Sequence, residues 1–280
     1  MDPFVQHEAD EQTTLFYIDS WIREISYVTA GFTSRRGGAS KGVFDSLNCA
    51  LHVQDDADTV ISNRTGLALA LGMDPTAWTC AEQVHGSRVH VVTSTDRGAG
   101  RENRESAIQD TDAIITNLPD VLLTSFYADC VPLFFLDPVN KAVGLAHAGW
   151  KGTVQRIASK TVEAMGANYG TRPEQLLTAI GPSIGGCCYE VDQGVITHVQ
   201  SLGFSDEIGY KTSGTGKYML DLKIINRELM LQAGILPSHI EVSEWCTGCR
   251  TDLFYSHRKE NGRTGRMASW IALKEEVMAL

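Results

Sequence analysis

Apolar residues recur along this chain in two rhythms, and the alternation between them predicts the order of its elements. From Val121 to Gly149, three runs follow one another (VLLTSFYA, VPLFFLD and AVGLAHAG), each too continuously apolar to face water on either side. They predict strands buried on both faces. Shorter strand-like runs lie at 15–29, 88–93 (RVHVVT), 113–116 (AIIT) and 176–180, and IEVSEWC leads a further strand into Cys246. Helical spacing covers Asp56–Leu71, with Asp56 or Asp58 as the cap and Val60, Ile61, Leu67 and Leu69 as the apolar face. It returns over Thr153–Gly166, over Gln193–Leu202 and in MLDLKIINRELMLQAGI, which Gly234 closes. The C-terminal FYSHRKENGRTGRMASWIAL predicts a hairpin or two edge strands about Asn261-Gly262. Residues 1–14 are polar and acidic and are expected to form a disordered leader. No internal repeat or linker divides the remainder, so 15–280 is expected to form one domain.

Polar residues inside or beside the apolar runs are where chemistry is to be sought. Asp129-Cys130 stands just before VPLFFLD, and His147 interrupts AVGLAHA. His85 precedes Gly86, where a turn would expose it, whereas His90 sits within a strand and reads as structural. His85, Cys130 and His147 together make a donor set suited to Zn²⁺, and three protein ligands leave a position open, as in catalytic sites. A water held there would be acidified toward neutral pH. A single histidine in an apolar run is more often a satisfied core residue, so the set rests on convergence of all three. A carboxylate at Asp129 needs a partner or a role, because burying its charge alone is costly. It would act as general acid or base, orient a ligand histidine, or cap the turn at Pro132.

Two glycine-rich loops, 31–56 and 181–192, carry few periodic apolar residues and read as ordered loops. Arg64, within the predicted helix 56–71, has the ordinary reading of a solvated charge. Trp150-Lys151-Gly152 falls at a helix start, where free N–H groups favour an anion. Cys246-Thr-Gly-Cys249 has the spacing of half a zinc site or of a redox pair. A zinc site there would need two more ligands, from His257 or from Cys187-Cys188; two partly buried thiols at a strand end is the plainer reading.

Composition narrows the function classes. The chain has 280 residues, 43% of them hydrophobic, and a net charge of −10, with no Lys/Arg-rich stripe to neutralise nucleic-acid phosphates. Local positive charge still permits a small anion. No signal peptide or run of membrane-spanning length is visible, and seven scattered cysteines suit a reducing compartment, so a cytoplasmic location is expected.

Taken in order, GFTSRRGGAS, SLNCALHVQDD, Asn63-Arg64, Gln83–Gly86 (QVHG), DTDAIITN, ADCVPLFFLD, AVGLAHAGWKGT, IGPSIGGCCYEV, and CTGC followed by FYSHR resemble the bacterial multicopper polyphenol oxidase (laccase-domain) family. Its members are recognised as zinc-dependent purine nucleoside phosphorylases. The match runs from about Gly31 to Arg258. The resemblance implies an α/β (α+β) fold, a single domain whose mixed sheets pack between helices as a layered sandwich. It implies zinc on His85, Cys130 and His147; from the residues themselves, Cys130, as a metal ligand, and Asp129, as acid or base, belong to the catalytic machinery. It further implies phosphorolysis of adenosine, inosine and methylthioadenosine, and deamination of adenosine. Ser34, Arg35, Asn48 and Arg64 would bind phosphate or ribose, although TSRRGG departs from the usual STRxGG and leaves open which of Ser34, Arg35 and Arg36 faces the site. The expected partners are a nucleoside and phosphate, not nucleic acid or membrane. The family's older label supplies the alternative, a copper-dependent phenol oxidase with copper in place of zinc. Eight histidines and no HxH pair weigh against it.

Overall fold

The computed structural model describes residues 2–8, 13–204 and 208–275. Two six-stranded mixed sheets stack face to face with helices outside them. The first sheet runs β1 (Phe4–Glu8), β2 (Thr14–Ile18), β3 (Val28–Thr33), β15 (Met267–Leu273), β7 (Leu122–Tyr127), β4 (Trp78–Cys80). The second runs β14 (Ile240–Val242), β10 (Leu177–Ile180), β8 (Val131–Asp137), β9 (Ala142–Ala148), β6 (Ala113–Thr116), β5 (Val89–Val91). A small third sheet joins β11 (Glu190–Asp192), β13 (Lys217–Leu220) and β12 (Tyr210–Gly214). Among the described residues the helices are α1 (Asp19–Glu24), α2 (Ala57–Ala70), α3 (Trp150–Val154), α4 (Ile157–Tyr169), α5 (Gln193–Gln200) and α6 (Leu222–Gln232).

Period-two side-chain alternation explains why the central strands are apolar throughout. On β8, Phe134 and Leu136 point into the core between the sheets, with Phe16, Phe32, Tyr127 and Leu145. Val131, Leu133 and Phe135 point the other way, toward Ile157 and Val162 of α4 and Ile225 and Leu229 of α6. The outer face of the first sheet, with Trp78, Phe126 and Trp270, is covered by Leu67 and Ala68 of α2. A mixed sandwich between helices is therefore the observed fold.

Several expectations need correction. Residues 4–8 are no disordered leader: they pair with β2 in an antiparallel ladder, because Phe4 is buried against Phe134, ring centroids 5.5 Å apart. Met1 and residues 9–12 of that expected leader lie outside the described residues. The C-terminal run is no edge hairpin. β15 sits in mid-sheet between β3 and β7, with every one of its residues buried. The single helix expected from Thr153 is two, broken where Arg156 takes φ 60° and gives its guanidinium to Leu202 O. The polar stretch before α6 pairs with itself as β12 and β13. On α2, capped by Asp56 as expected, Val60 and Leu67 are buried as expected, but Leu69 is 61% exposed and Arg64 is buried.

Phe134→Ala removes the ring that both sheets close upon, and a cost of about 3–5 kcal/mol is expected. Urea unfolding should show the lower midpoint with an unchanged slope.

Candidate metal centre and active-site cavity

Asp112, at the entry to β6, assembles the centre. Its carboxylate accepts the backbone N–H groups of Val84, His85 and Gly86 at 3.2, 3.0 and 2.7 Å. The same carboxylate lies 2.9 Å from His147 Nδ1. One acid thus shapes the turn bearing His85, at φ 60°, and turns the Nε2 edge of His147 away from itself. Gln83 secures the other end of the turn, exchanging amide hydrogen bonds with the Phe126 backbone of β7 at 2.8 and 3.0 Å. Cys130 and His147 come together through register. β8 and β9 are antiparallel with Val131 opposite Ala148 and Pro132 opposite His147, which sets Cys130 at the same sheet end as His147.

The ligand atoms of His85, Cys130 and His147 lie within 4.8 Å of one another. The histidine rings meet edge to face at 4.8 Å, His147 buried and His85 exposed, so the trio opens to solvent on one side. Burial would push the Cys130 thiol up, but His147 and then His85 more than offset it and hold the thiol down at about 6. Burial would lower His147, yet Cys130 and Asp112 raise it to about 9. In the metal-free site this is a thiolate–imidazolium pair. Gly149 leaves the room: a Cβ there would stand 3.1 Å from both Cys130 Sγ and His85 Cδ2. Two imidazoles and a thiolate around such a space fit a metal ion with an open coordination position.

The trio opens into a cavity of about 660 Å³, the size of a small-molecule site. Its walls include Phe126, Trp150 and Tyr189, the cations Arg104, Lys151, Arg258 and Arg266, and His52 and His257. Asp129 also lines it, in a left-handed conformation at φ 86°. One Asp129 oxygen accepts from the Thr247 hydroxyl at 2.6 Å and the other from the Arg258 N–H at 2.7 Å. Asp129 therefore fastens the 247–258 loop against the cavity, and the ligand-orienting part falls to Asp112.

The structure does not bring Ser34, Arg35, Asn48 or Arg64 into this cavity. Ser34 is buried and its Oγ accepts from the Arg36 N–H. Arg35 is spent on the Asp45 and Thr251 carbonyls, on Glu260 at 3.0 Å and on the Tyr255 ring. Arg64 donates to the carbonyls of Cys49, Gly100 and Arg101 and stacks 4.7 Å over Phe126. It borders an adjoining cavity of about 20 Å³, room for water and not for phosphate. Asn48 acts at one remove, its Oδ1 accepting from the backbone N–H of Arg266. Arg104 and Arg266 gave no sequence signal, since both lie in polar loops; Asp112 did, as an acid flush against the apolar start of a strand.

A sequence model of the family described as multi-copper polyphenol oxidoreductase laccase matches residues 29–274. The chain belongs to this family. Within it, the chain is 44% identical over 248 residues to the purine nucleoside phosphorylase YlmD of Bacillus subtilis, covering 89% of each chain. It is 32% identical over 255 residues to adenosine deaminase RL5 of an unknown prokaryotic organism, covering 91% of this chain and 97% of that one. The crystal structure of YlmD from Geobacillus stearothermophilus superposes with a TM-score of 0.93 at 40% identity, over 98% of this chain and all of the other. No helix among the described residues is long and apolar enough to cross a membrane.

Asp112→Asn keeps the shape of the hub and removes its charge. Metal affinity is expected to fall about 10- to 100-fold in chelator competition. Because His147 is raised above the ordinary histidine range, it is protonated at pH 7 in the metal-free protein and must lose that proton to bind metal. With Cys187 and Cys249 replaced by serine, so that thiols outside this centre do not contribute, metal added to the apo-protein at pH 7 should release about one proton per chain, read with an indicator dye, and the release should fade as pH rises past about 9.

Proposed function

We propose that this chain is a zinc-dependent purine nucleoside phosphorylase that also deaminates adenosine. The observation that carries the reading is the placement of His85, Cys130 and His147 at the wall of a cavity whose lining also holds cationic and aromatic side chains. The names of the relatives, purine nucleoside phosphorylase and adenosine deaminase, support it.

In phosphorolysis a phosphate oxygen bonds to the anomeric carbon as the bond from that carbon to the purine nitrogen breaks. The departing base takes the electron pair and then a proton. Arg258, Arg266 and Lys151 are the groups that would hold the phosphate. The Arg266 guanidinium is set by the Thr264 and Gly265 carbonyls at 2.7 and 2.9 Å, and a planar guanidinium suits a dianion. Phe126, Trp150 and Tyr189 offer flat apolar surface to the purine. When bound at His85, Cys130 and His147, zinc would supply Lewis acidity. Asp129 serves as a positioning residue, keeping Arg258 and Thr247 against the substrate. A nucleoside and phosphate are the proposed partners, and the seven free thiols favour the cytoplasm as the compartment.

The older reading as a copper oxidase finds no support in the names of these relatives, and one three-ligand centre offers no set of histidine pairs for several coppers. Purified protein should convert adenosine or inosine and phosphate to free base and ribose-1-phosphate, and adenosine to inosine, resolved by chromatography. Cys130→Ala and His147→Ala should each lower kcat/KM by at least about 100-fold, roughly 2.7 kcal/mol of transition-state stabilisation. Arg266→Gln should chiefly raise the KM for phosphate. Wild type forming none of these products, or full activity in both ligand variants, overturns the proposal. Copper in excess over zinc, together with phenol oxidation, would restore the older label.

A further inference from the structure

A second group of potential ligands lies outside the trio. Cys187 and Cys188 follow β10, and Cys246 and Cys249 follow β14. Because β10 and β14 pair in parallel, the loops that leave them depart from the same sheet end. A parallel bridge between Ser183 and Cys246, with Thr247 N–H bonded to Ser183 O at 3.1 Å, keeps the loops together. The four sulfurs lie within 4.8 Å of one another.

We propose that Cys187, Cys188, Cys246 and Cys249 bind a zinc ion of their own, a structural site separate from His85, Cys130 and His147. Tetrahedral Zn–S bonds of about 2.3 Å place sulfurs roughly 3.8 Å apart. Cys249 Sγ stands 3.4 Å from Cys187 Sγ and 3.5 Å from Cys188 Sγ. One sulfur equally near two others is the arrangement of ligands sharing an ion, not of a bonded pair. The backbone N–H of Gly185 donates to Cys246 Sγ at 3.2 Å, as expected beside a thiolate ligand. Gly248, inside the CxxC turn, allows the close approach: a Cβ there would stand 2.9 Å from Cys188 Cβ.

The ion would join two walls of the cavity. The loop after β10 carries Ile184 and Tyr189, and the loop after β14 leads to Thr247, which holds Asp129, and to His257 and Arg258. Sequence spacing alone left Cys246 and Cys249 two ligands short. The pairing of β10 with β14 supplies them from sixty residues upstream.

Zinc content by mass spectrometry of the full chain, purified with reductant and zinc and then freed of loose metal, tests this. About two ions per chain are expected in wild type, about one in Cys130→Ala and about one in C187S/C249S. All three changes together should leave none. Since the readout is stoichiometry, failure of the phosphorylase reading would not touch it: without the first site, wild type and Cys130→Ala would each hold about one ion, and C187S/C249S none. Should C187S/C249S not fold, Cys130→Ala protein loaded with cobalt(II) must show the intense visible and thiolate charge-transfer bands of a four-sulfur tetrahedral site. Unchanged zinc in C187S/C249S, absence of those bands, or alkylation mapping that finds the four cysteines as disulfides in the wild-type protein overturns the proposal.

Discussion

The carboxylate of Asp112 is the constraint on which the centre depends. A buried charge at the head of an apolar strand is costly unless it is satisfied on every side. Here it is satisfied by three consecutive backbone N–H groups and one imidazole. Those donors belong to the turn of His85 and to His147 itself, so solvating this one acid holds two of the three ligands in place. The electrostatics then propagate. Asp112 and Cys130 keep His147 charged in the metal-free protein, His147 and His85 keep Cys130 a thiolate, and a metal cation can replace the proton between them.

The sandwich supplies rigidity to this arrangement. β8 and β9 are packed on both faces, against the opposing sheet and against α4 and α6. A one-residue slip in their pairing would invert every side chain, which makes the register holding Cys130 beside His147 strongly specified. Loops bring the rest: Arg258, His257 and Arg266 from 247–266, and Tyr189 from the turn after β10. The loop residues that line the cavity are thus carried by strands packed on both faces. The four-cysteine cluster lies where the two loops run side by side.

How much of this was readable beforehand varied with the range of the interaction. The strands at 122–127, 131–137 and 142–148 were plain, because burial on both faces writes itself as uninterrupted apolar sequence. α2 and its Asp56 cap were plain because a cap is a contact over three residues. The strand at Phe4–Glu8 is not legible in the sequence because Phe4 gains its value only from Phe134, far along the chain. The same reason hid the central position of β15, whose two neighbours begin at Val28 and Leu122. The family resemblance places Arg35 and Arg64 at the substrate, whereas the residues alone read Arg64 as a solvated charge. Carbonyl groups from distant loops had already claimed both.

By itself, then, the sequence determined the layered α/β class, the three metal-ligand candidates and the family motifs, because these reside in local alternation, in residue chemistry and in short contiguous patterns. Tertiary structure decided which polar groups were free to act. It made Asp112 the anchor, withdrew Ser34, Arg35, Asn48 and Arg64 into the scaffold, and brought Arg258 and Arg266 to the cavity. It also joined Cys187 and Cys188 to Cys246 and Cys249. Whether a charge or a thiol is spent or available depends on partners scores of residues away, and only the folded chain chooses them.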